Sequence, residues 1–144
     1  MFNSINVSAS GLTAERLRMD VISRNIANAN VTRTAAGTPY RRQIPIMRAQ
    51  APKSFKEVFD TSLASQQRFE GVEIVKVAED KSPFKEVYNP SHPDADERGI
   101  VLMPNVDTVT EMVNLIAASR AYEANITSLN TAKSMAMRAL EIGK

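Results

Sequence analysis

Residues 108–143 read TVTEMVNLIAASRAYEANITSLNTAKSMAMRALEIG, and the spacing of their apolar side chains decides the fold. Steps of three and four from Met112 meet Leu115, Ser119, Tyr122, Ile126, Leu129, Lys133, Ala136 and Leu140, and seven of these nine positions are apolar. A 3.5-residue repeat held over this length is the pattern of a coiled-coil seam rather than of an ordinary surface helix. Thr108-Val109-Thr110-Glu111 offers a capping box at its start, the hydroxyl and carboxylate satisfying N–H groups that the first turn leaves free, and Gly143 can end it in a left-handed conformation. A helix from Val109 to Ile142 follows. At 1.5 Å per residue it extends roughly 51 Å, whereas a compact chain of this length is only about 37 Å across. The sequence therefore predicts an elongated molecule.

The N-terminal end repeats the design more weakly. Ile5, Leu12, Met19 and Ile26 are seven apart, Ile22 and Ala29 fill intervening positions, and Glu15 interrupts the line. Gly11 costs about 1 kcal/mol relative to Ala inside a helix, so the first turns are expected to fray or bend there. Flanking apolar residues, Leu17 and Val21 on one helix and Val109, Val113 and Ile116 on the other, leave a second face in search of a partner. All seven prolines and three of the five glycines lie between the helices. There Tyr40–Arg48, Val72–Val77 and Ile100–Met103 read as short strands, with Pro45 confining its strand to a sheet edge. Phe55, Val58, Phe59 and Leu63 have helical spacing, but residues 49–69 read equally as a loop. The expected fold is mainly α with a small β-rich insert, elongated, its N- and C-terminal helices packed as an antiparallel coiled-coil-like pair. The divisions are residues 1–30, a rod-like helix; 31–107, the β/loop insert; and 108–144, the long helix.

Composition limits the chemistry. The 144 residues carry a net charge of +2, and hydrophobic residues make up 43%, enough for one folded unit. Aromatics are only 6% and Trp is absent, so the core must be aliphatic, which favours helix-on-helix packing. The lack of Cys removes disulfides, thiol nucleophiles and thiolate metal sites together. The start, Met1 to Ser8, lacks the charged and apolar regions of a cleavable signal. No aliphatic run approaches the ~20 residues of a membrane span, so the expectation is a soluble or peripheral protein with no membrane insertion. Residues 1–50 hold seven Arg against Glu15 and Asp20, while residues 70–111 hold ten acids against four bases. No aromatic platform accompanies the arginines, so complementary protein surfaces are favoured over nucleic acid.

His92 lies in Asn89-Pro90-Ser91-His92-Pro93-Asp94, but successive side chains pinned by prolines diverge and do not converge as a catalytic triad must. A turn histidine is the plainer reading. Asp94-Ala95-Asp96-Glu97-Arg98-Gly99 resembles the opening of a calcium loop, then departs from it: Arg98 takes the fifth position and Asn105 the twelfth, where a bidentate Glu is needed. No enzyme, cofactor or metal is expected. Asn25-Ile26-Ala27-Asn28-Ala29-Asn30 places three amides on a helix otherwise buried by Ile22 and Ile26. Some such amides end helices, and others fix the register of packed helices; the second role is favoured here. Asn6, Asn30 and Asn125 also match the glycosylation pattern, two of them within expected helices, and are taken as chance.

Ser10-Gly11-Leu12-Thr13-Ala14-Glu15-Arg16-Leu17, followed by Asn25 to Asn30, resembles the N-terminal signature of bacterial flagellar rod and hook proteins. Val87 to Gly99, then Met103-Pro104-Asn105-Val106-Asp107, is similar to a proximal member of the rod family. Glu111-Met112-Val113, Ser119 to Asn125 and Ala139 to Gly143 fit the family's C-terminal helix. The resemblance implies a non-enzymatic subunit of the flagellar basal-body rod in the periplasmic space, exported through the flagellar type III channel. Its partners would be copies of itself, other rod proteins, the hook–basal-body adaptor FliE and, in transit, the export apparatus. The alternatives are a coiled-coil adaptor or a different flagellar rod subunit. The expected assembly interface comprises Leu12, Leu17, Met19, Ile22, Asn25, Ile26, Asn28 and Asn30 on the first helix. On the second it comprises Met112, Leu115, Tyr122, Asn125, Ile126, Leu129, Ala136 and Leu140. A free subunit lacking its neighbours is expected to have partly disordered ends.

Overall fold

A computed structural model describes residues 2–50 and 71–142. The elements are α1 (Phe2–Ala27), β1 (Gln43–Ala49), β2 (Val72–Glu79), β3 (Lys85–Tyr88), β4 (Ile100–Met103) and α2 (Thr108–Ile142). The helical spacing read over Phe55 to Leu63 and the C-terminal role of Gly143 lie outside the described residues.

α1 runs through Gly11 without interruption. The glycine's use is close approach: a Cβ there would come within 3.0 Å of the Asn125 amide nitrogen on α2. α1 ends at Asn28, whose N–H and side-chain amide both donate to the one Arg24 carbonyl, at 3.0 and 2.8 Å. The capping box expected at the start of α2 is not formed. Asp107 caps instead, its carboxylate accepting the Val109 N–H and the Thr110 hydroxyl, each at 3.1 Å. These bonds, the Thr110 hydroxyl first, hold its carboxyl below the usual range. A carboxylate one residue earlier outcompetes the Thr108 hydroxyl because it also meets the positive end of the helix dipole. Glu111 is thereby freed to turn inward.

The helices touch through an inward line that lies one residue away from half of the expected one. On α2 it is Glu111, Leu115, Ala118, Tyr122, Asn125, Leu129, Ala132 and Ala136, all buried or half-buried. Leu115, Tyr122, Leu129 and Ala136 are as anticipated; Glu111, Ala118, Asn125 and Ala132 replace Met112, Ser119, Ile126 and Lys133. On α1, Ala14, Val21, Ile22 and Asn25 are buried, so Val21 faces the core and not a second partner. Asn25 meets Glu111 and Gly11 faces Asn125, two pairs whose residue numbers both sum to 136. Ala118 and Ala132 let the helices approach closely between the larger Leu115, Tyr122 and Leu129, while Glu111 and Asn125 take inward positions through polar and close contacts with Asn25 and Gly11.

β1 and β2 form an antiparallel ribbon, Gln43 opposite Glu79 and Ala49 opposite Val72, with a bulge at Val75. Pro45 sits in a two-stranded sheet, where each strand has an open edge. The ribbon is pinned to α1 at both ends, Gln43 to Asn25 and the Val72 N–H to the Ser10 hydroxyl at 3.0 Å. The fifteen residues from Ser10 to Asn25 span about 22 Å of helix, close to the roughly 20 Å length of β1. β3 and β4 form a separate hairpin, Lys85 opposite Met103 and Tyr88 opposite Ile100. β3 escapes the sequence reading because Lys-Glu-Val-Tyr is short, half charged and flanked by prolines. Gly99 closes the hairpin loop at φ 74°, a left-handed conformation in which a side chain would be strained. α1 thus lies between α2 and the ribbon.

Candidate assembly surface

At the upper end of the helix pair, a polar node fixes α1, α2 and the β insert relative to one another. Asn25 is 1% exposed and uses all four of its hydrogen-bonding positions. Its amide donates to the Gln43 carbonyl and to Glu111 Oε2, each at 2.9 Å, and its oxygen accepts the Gln43 N–H and the Tyr40 hydroxyl, each at 3.0 Å. Glu111, also 1% exposed, receives Arg42 through Nε at 3.0 Å and a terminal nitrogen at 2.7 Å. The other Arg42 nitrogen reaches Asp80 at 3.3 Å, and its backbone N–H donates to Asn105 at 2.8 Å. Asn105 in turn donates to the Asp80 carbonyl and to the Ser82 hydroxyl.

Electrostatics matches this geometry. Burial alone would lower the Arg42 guanidinium, but its bonds to Glu111 and Asp80 outweigh that and raise it. The Ser82 N–H and hydroxyl, then Arg42, hold Asp80 below the usual carboxylate range. Burial pushes the Tyr40 phenol up. A fully satisfied polar node of this kind contributes specificity of arrangement more than net stability, since each charge first loses its water. The Arg41 guanidinium stacks 4.4 Å from the centre of the Phe84 ring, bracing the same corner.

What the node positions is the outer face of α2. Val109, Met112, Val113 and Ile116 follow one another at helical spacing and point to solvent, Val109 at 71% and Val113 at 61% exposure. Met135, Met137 and Leu140 are exposed at the far end, Leu140 at 72%. Side chains of this kind, clustered and turned outward, form a candidate contact surface.

The expected interface residues divide accordingly. Ile22 and Asn25 are buried within the chain, and Leu12, Leu17, Met19 and Ile26 are half-buried on α1. Leu115, Tyr122, Asn125, Leu129 and Ala136 line α2's inward side, while Met112, Ile126 and Leu140 are exposed. Asn28 is a helix terminator, and Asn30 is exposed in the following turn. Of the three amides, Asn25 alone sits between packed elements. Sequence reasoning missed Tyr40, Arg42, Asp80, Asn105 and the inward role of Glu111; the signal available was a single carboxylate one step before the seam, facing an Asn on the other helix. Glu15 lies largely inside, and its Oε2 has no hydrogen-bond partner among the described residues, Arg18 standing 3.6 Å away.

The loop motifs are structural. His92 Nδ1 accepts the Asp94 N–H at 3.1 Å, closing a turn. Asp96 Oδ1 accepts the N–H groups of Arg98 and Ile100, and Asp94 accepts the Thr32 hydroxyl at 2.8 Å with Arg33 at 3.8 Å. The two carboxylates that suggested a calcium loop thus tie the hairpin loop to itself and to the turn after α1. No helix among the described residues is long and apolar enough to cross a membrane.

Comparisons with known proteins agree with these features. Residues 5–33 match the family model described as flagella basal body rod protein, and residues 97–142 match that described as flagellar basal body rod FlgEFG protein C-terminal. The chain is similar to the flagellar basal-body rod protein FlgC of Bacillus subtilis, 45% identical over 99% of this chain and 98% of the relative. It is similarly related to FlgC of Borreliella burgdorferi, 48% identical over 99% and 97%. FlgC of Salmonella typhimurium is 40% identical over 100% and 98%. The two family matches cover the end of the chain that contributes Asn25 and the end that contributes Glu111.

Proposed function

Because the chain belongs to the FlgC family of flagellar basal-body rod proteins, we propose that it works as a structural subunit of the proximal rod, transmitting torque through packed helices. It is a structural component of the flagellar basal body and serves motility. The reading assigns no residue a catalytic role and places the subunit where the rod crosses the periplasmic space. The observation that carries the mechanism is the outward stripe of Val109, Met112, Val113 and Ile116 on a helix whose inner side is already occupied.

Torque has to pass from subunit to subunit without slippage. Two features support that task. The Asn25–Glu111 and Gly11–Asn125 pairs favour an antiparallel, coiled-coil-like pairing of the terminal helices, in which a slip of one residue would unpair the buried Glu111. Apolar side chains on the opposite side then gain their burial from neighbours, so each interface reinforces the next. The partners this reading implies are copies of the chain, other rod proteins and the adaptor FliE, with the export apparatus met in transit. The expected interface residues on α1 and α2 serve two layers, the inward ones setting the subunit's shape and the outward ones its contacts.

A deletion strain complemented with the wild-type gene or with a gene lacking the Tyr88–Gly99 loop tests this. A rod subunit predicts non-motile cells without complete basal bodies in the deletion, and no rescue by the loop-less form. Normal swimming with the loop removed would favour a helix-only adaptor.

A further inference from the structure

The chain carries neither Cys nor Trp, which leaves the methionine thioether as the side chain most readily oxidised by a peroxide. Met19, Met47 and Met103 are half-buried, whereas Met112, Met135 and Met137 are each more than half exposed, and all three lie on α2. Met112 belongs to the outward stripe with Val109, Val113 and Ile116. The other two lie where α2 outruns its partner. Residue pairs along the helices sum to 136, which brings Phe2, the first residue of α1, opposite residue 134, while α2 continues to Ile142. Two residues along a helix are about 200° of rotation, so Met135 and Met137 face nearly opposite ways. A neighbour packing on either flank of this end meets a thioether. The inward line of α2 contains no Met, and neither does the polar node around Asn25 and Glu111.

We propose that Met112, Met135 and Met137 are oxidation sites for a peroxide, and that their oxidation turns the outer side of α2 from apolar to polar while leaving the subunit folded. The consequence, loss of assembly, rests on the rod-subunit reading; the sites themselves do not. In the step, a sulfur lone pair attacks one peroxide oxygen and forms the S–O bond. The O–O bond breaks, the departing hydroxide takes up the proton that the transferred oxygen gives up, and water leaves. Sulfur is oxidised by two electrons and the peroxide is reduced by two.

The sulfoxide is polar where the thioether was apolar, so burying it against a neighbour's apolar side chains without a donor is unfavourable. In the free subunit the same group stays in water, and the helix contact that gives the subunit its shape holds none of the three. The change is also reversible. Methionine sulfoxide reductases restore the thioether, the oxygen leaving as water while two thiols close to a disulfide.

Limited hydrogen peroxide on the purified full-length chain, followed by peptide mass spectrometry, tests the sites. Met112, Met135 and Met137 should each gain an oxygen before Met19, Met47 or Met103 does, with the circular dichroism of the helices retained. Equal oxidation of Met19, Met47 or Met103, or loss of the helices, overturns the proposal. The consequence is read in a deletion strain complemented with one of two forms. Met112→Gln, Met135→Gln and Met137→Gln together imitate the polarity of the sulfoxide, and Met112→Leu, Met135→Leu and Met137→Leu together stay apolar and cannot be oxidised. The leucine form should swim, and the glutamine form should not, although its purified chain keeps its helices. A glutamine form that swims or loses its helices, or a leucine form that fails to swim, overturns the proposal. Basal bodies that form normally in the uncomplemented deletion strain would instead defeat the rod-subunit reading, and the peroxide arm would still decide the sites.

Discussion

On the side that meets α1, α2 presents Glu111, Leu115, Ala118, Tyr122, Asn125, Leu129, Ala132 and Ala136; on the opposite side, over its first turns, it presents Val109, Met112, Val113 and Ile116. The difference teaches that the internal contact is specified by aliphatic packing, close approach and a satisfied polar node, while the outer apolar side chains of the first turns add nothing to it and are free for the proposed contacts between subunits. The inner side settles shape, and the outer side is the one proposed to settle assembly.

That contrast gives inner-side changes a large effect on the free chain and outer-side changes almost none. The largest effect is expected from Arg42→Ala, which strips the buried Glu111 of its cation. Urea unfolding of the free chain should show a loss of about 3 kcal/mol. A loss below about 1 kcal/mol would mean that the node is dispensable. Gly11→Val comes next, since its side chain would drive into Asn125; a cost of about 1–3 kcal/mol is expected. Asn125→Ala in the same chain should recover part of it, and a double-mutant cycle with no coupling would place the two residues out of contact.

Asp107→Ala should lower the melting temperature of the free chain by removing the cap of α2. Asp80 and Asp107 are both held below their unfolded values, so the stability they contribute is present above the unfolded pKa near ~4 and is lost as pH falls through the folded values. Thermal melts should therefore fall between pH 5 and more acid conditions, less so in Asp107→Asn, whose amide caps without titrating. Val113→Asp marks the other limit: a change within about 0.5 kcal/mol in the free chain, together with loss of incorporation into basal bodies. A strongly destabilised free chain would show that Val113 belongs to the internal core.

The sequence made the two helices, three of the four strands and the outward Val109, Val113 and Ile116 legible, because periodicity and breakers are local signals. The inner line was harder to read. Hydrophobicity selects Met112 and Ile126 over Glu111 and Asn125, and nothing local reveals that a buried carboxylate at 111 will find Arg42 and Asn25. Thr108 and Glu111 carry the capping-box spacing, yet Asp107 caps the helix and Glu111 turns inward. Asn25 was singled out for register with Asn28 and Asn30, but a run of amides does not say which one faces a neighbour and which ends the helix. Chemistry assembled from residues 25, 42, 80, 105 and 111 is legible only once the fold brings them together.

Hydrogen exchange on the free chain and on isolated basal bodies tests the central claim most directly. The account predicts that amides of residues 135–142 exchange rapidly in the dilute free chain and become protected in the basal body, while those around residues 111–125 are protected in both. Full protection of residues 135–142 in the dilute free chain, with no gain on assembly, would contradict it.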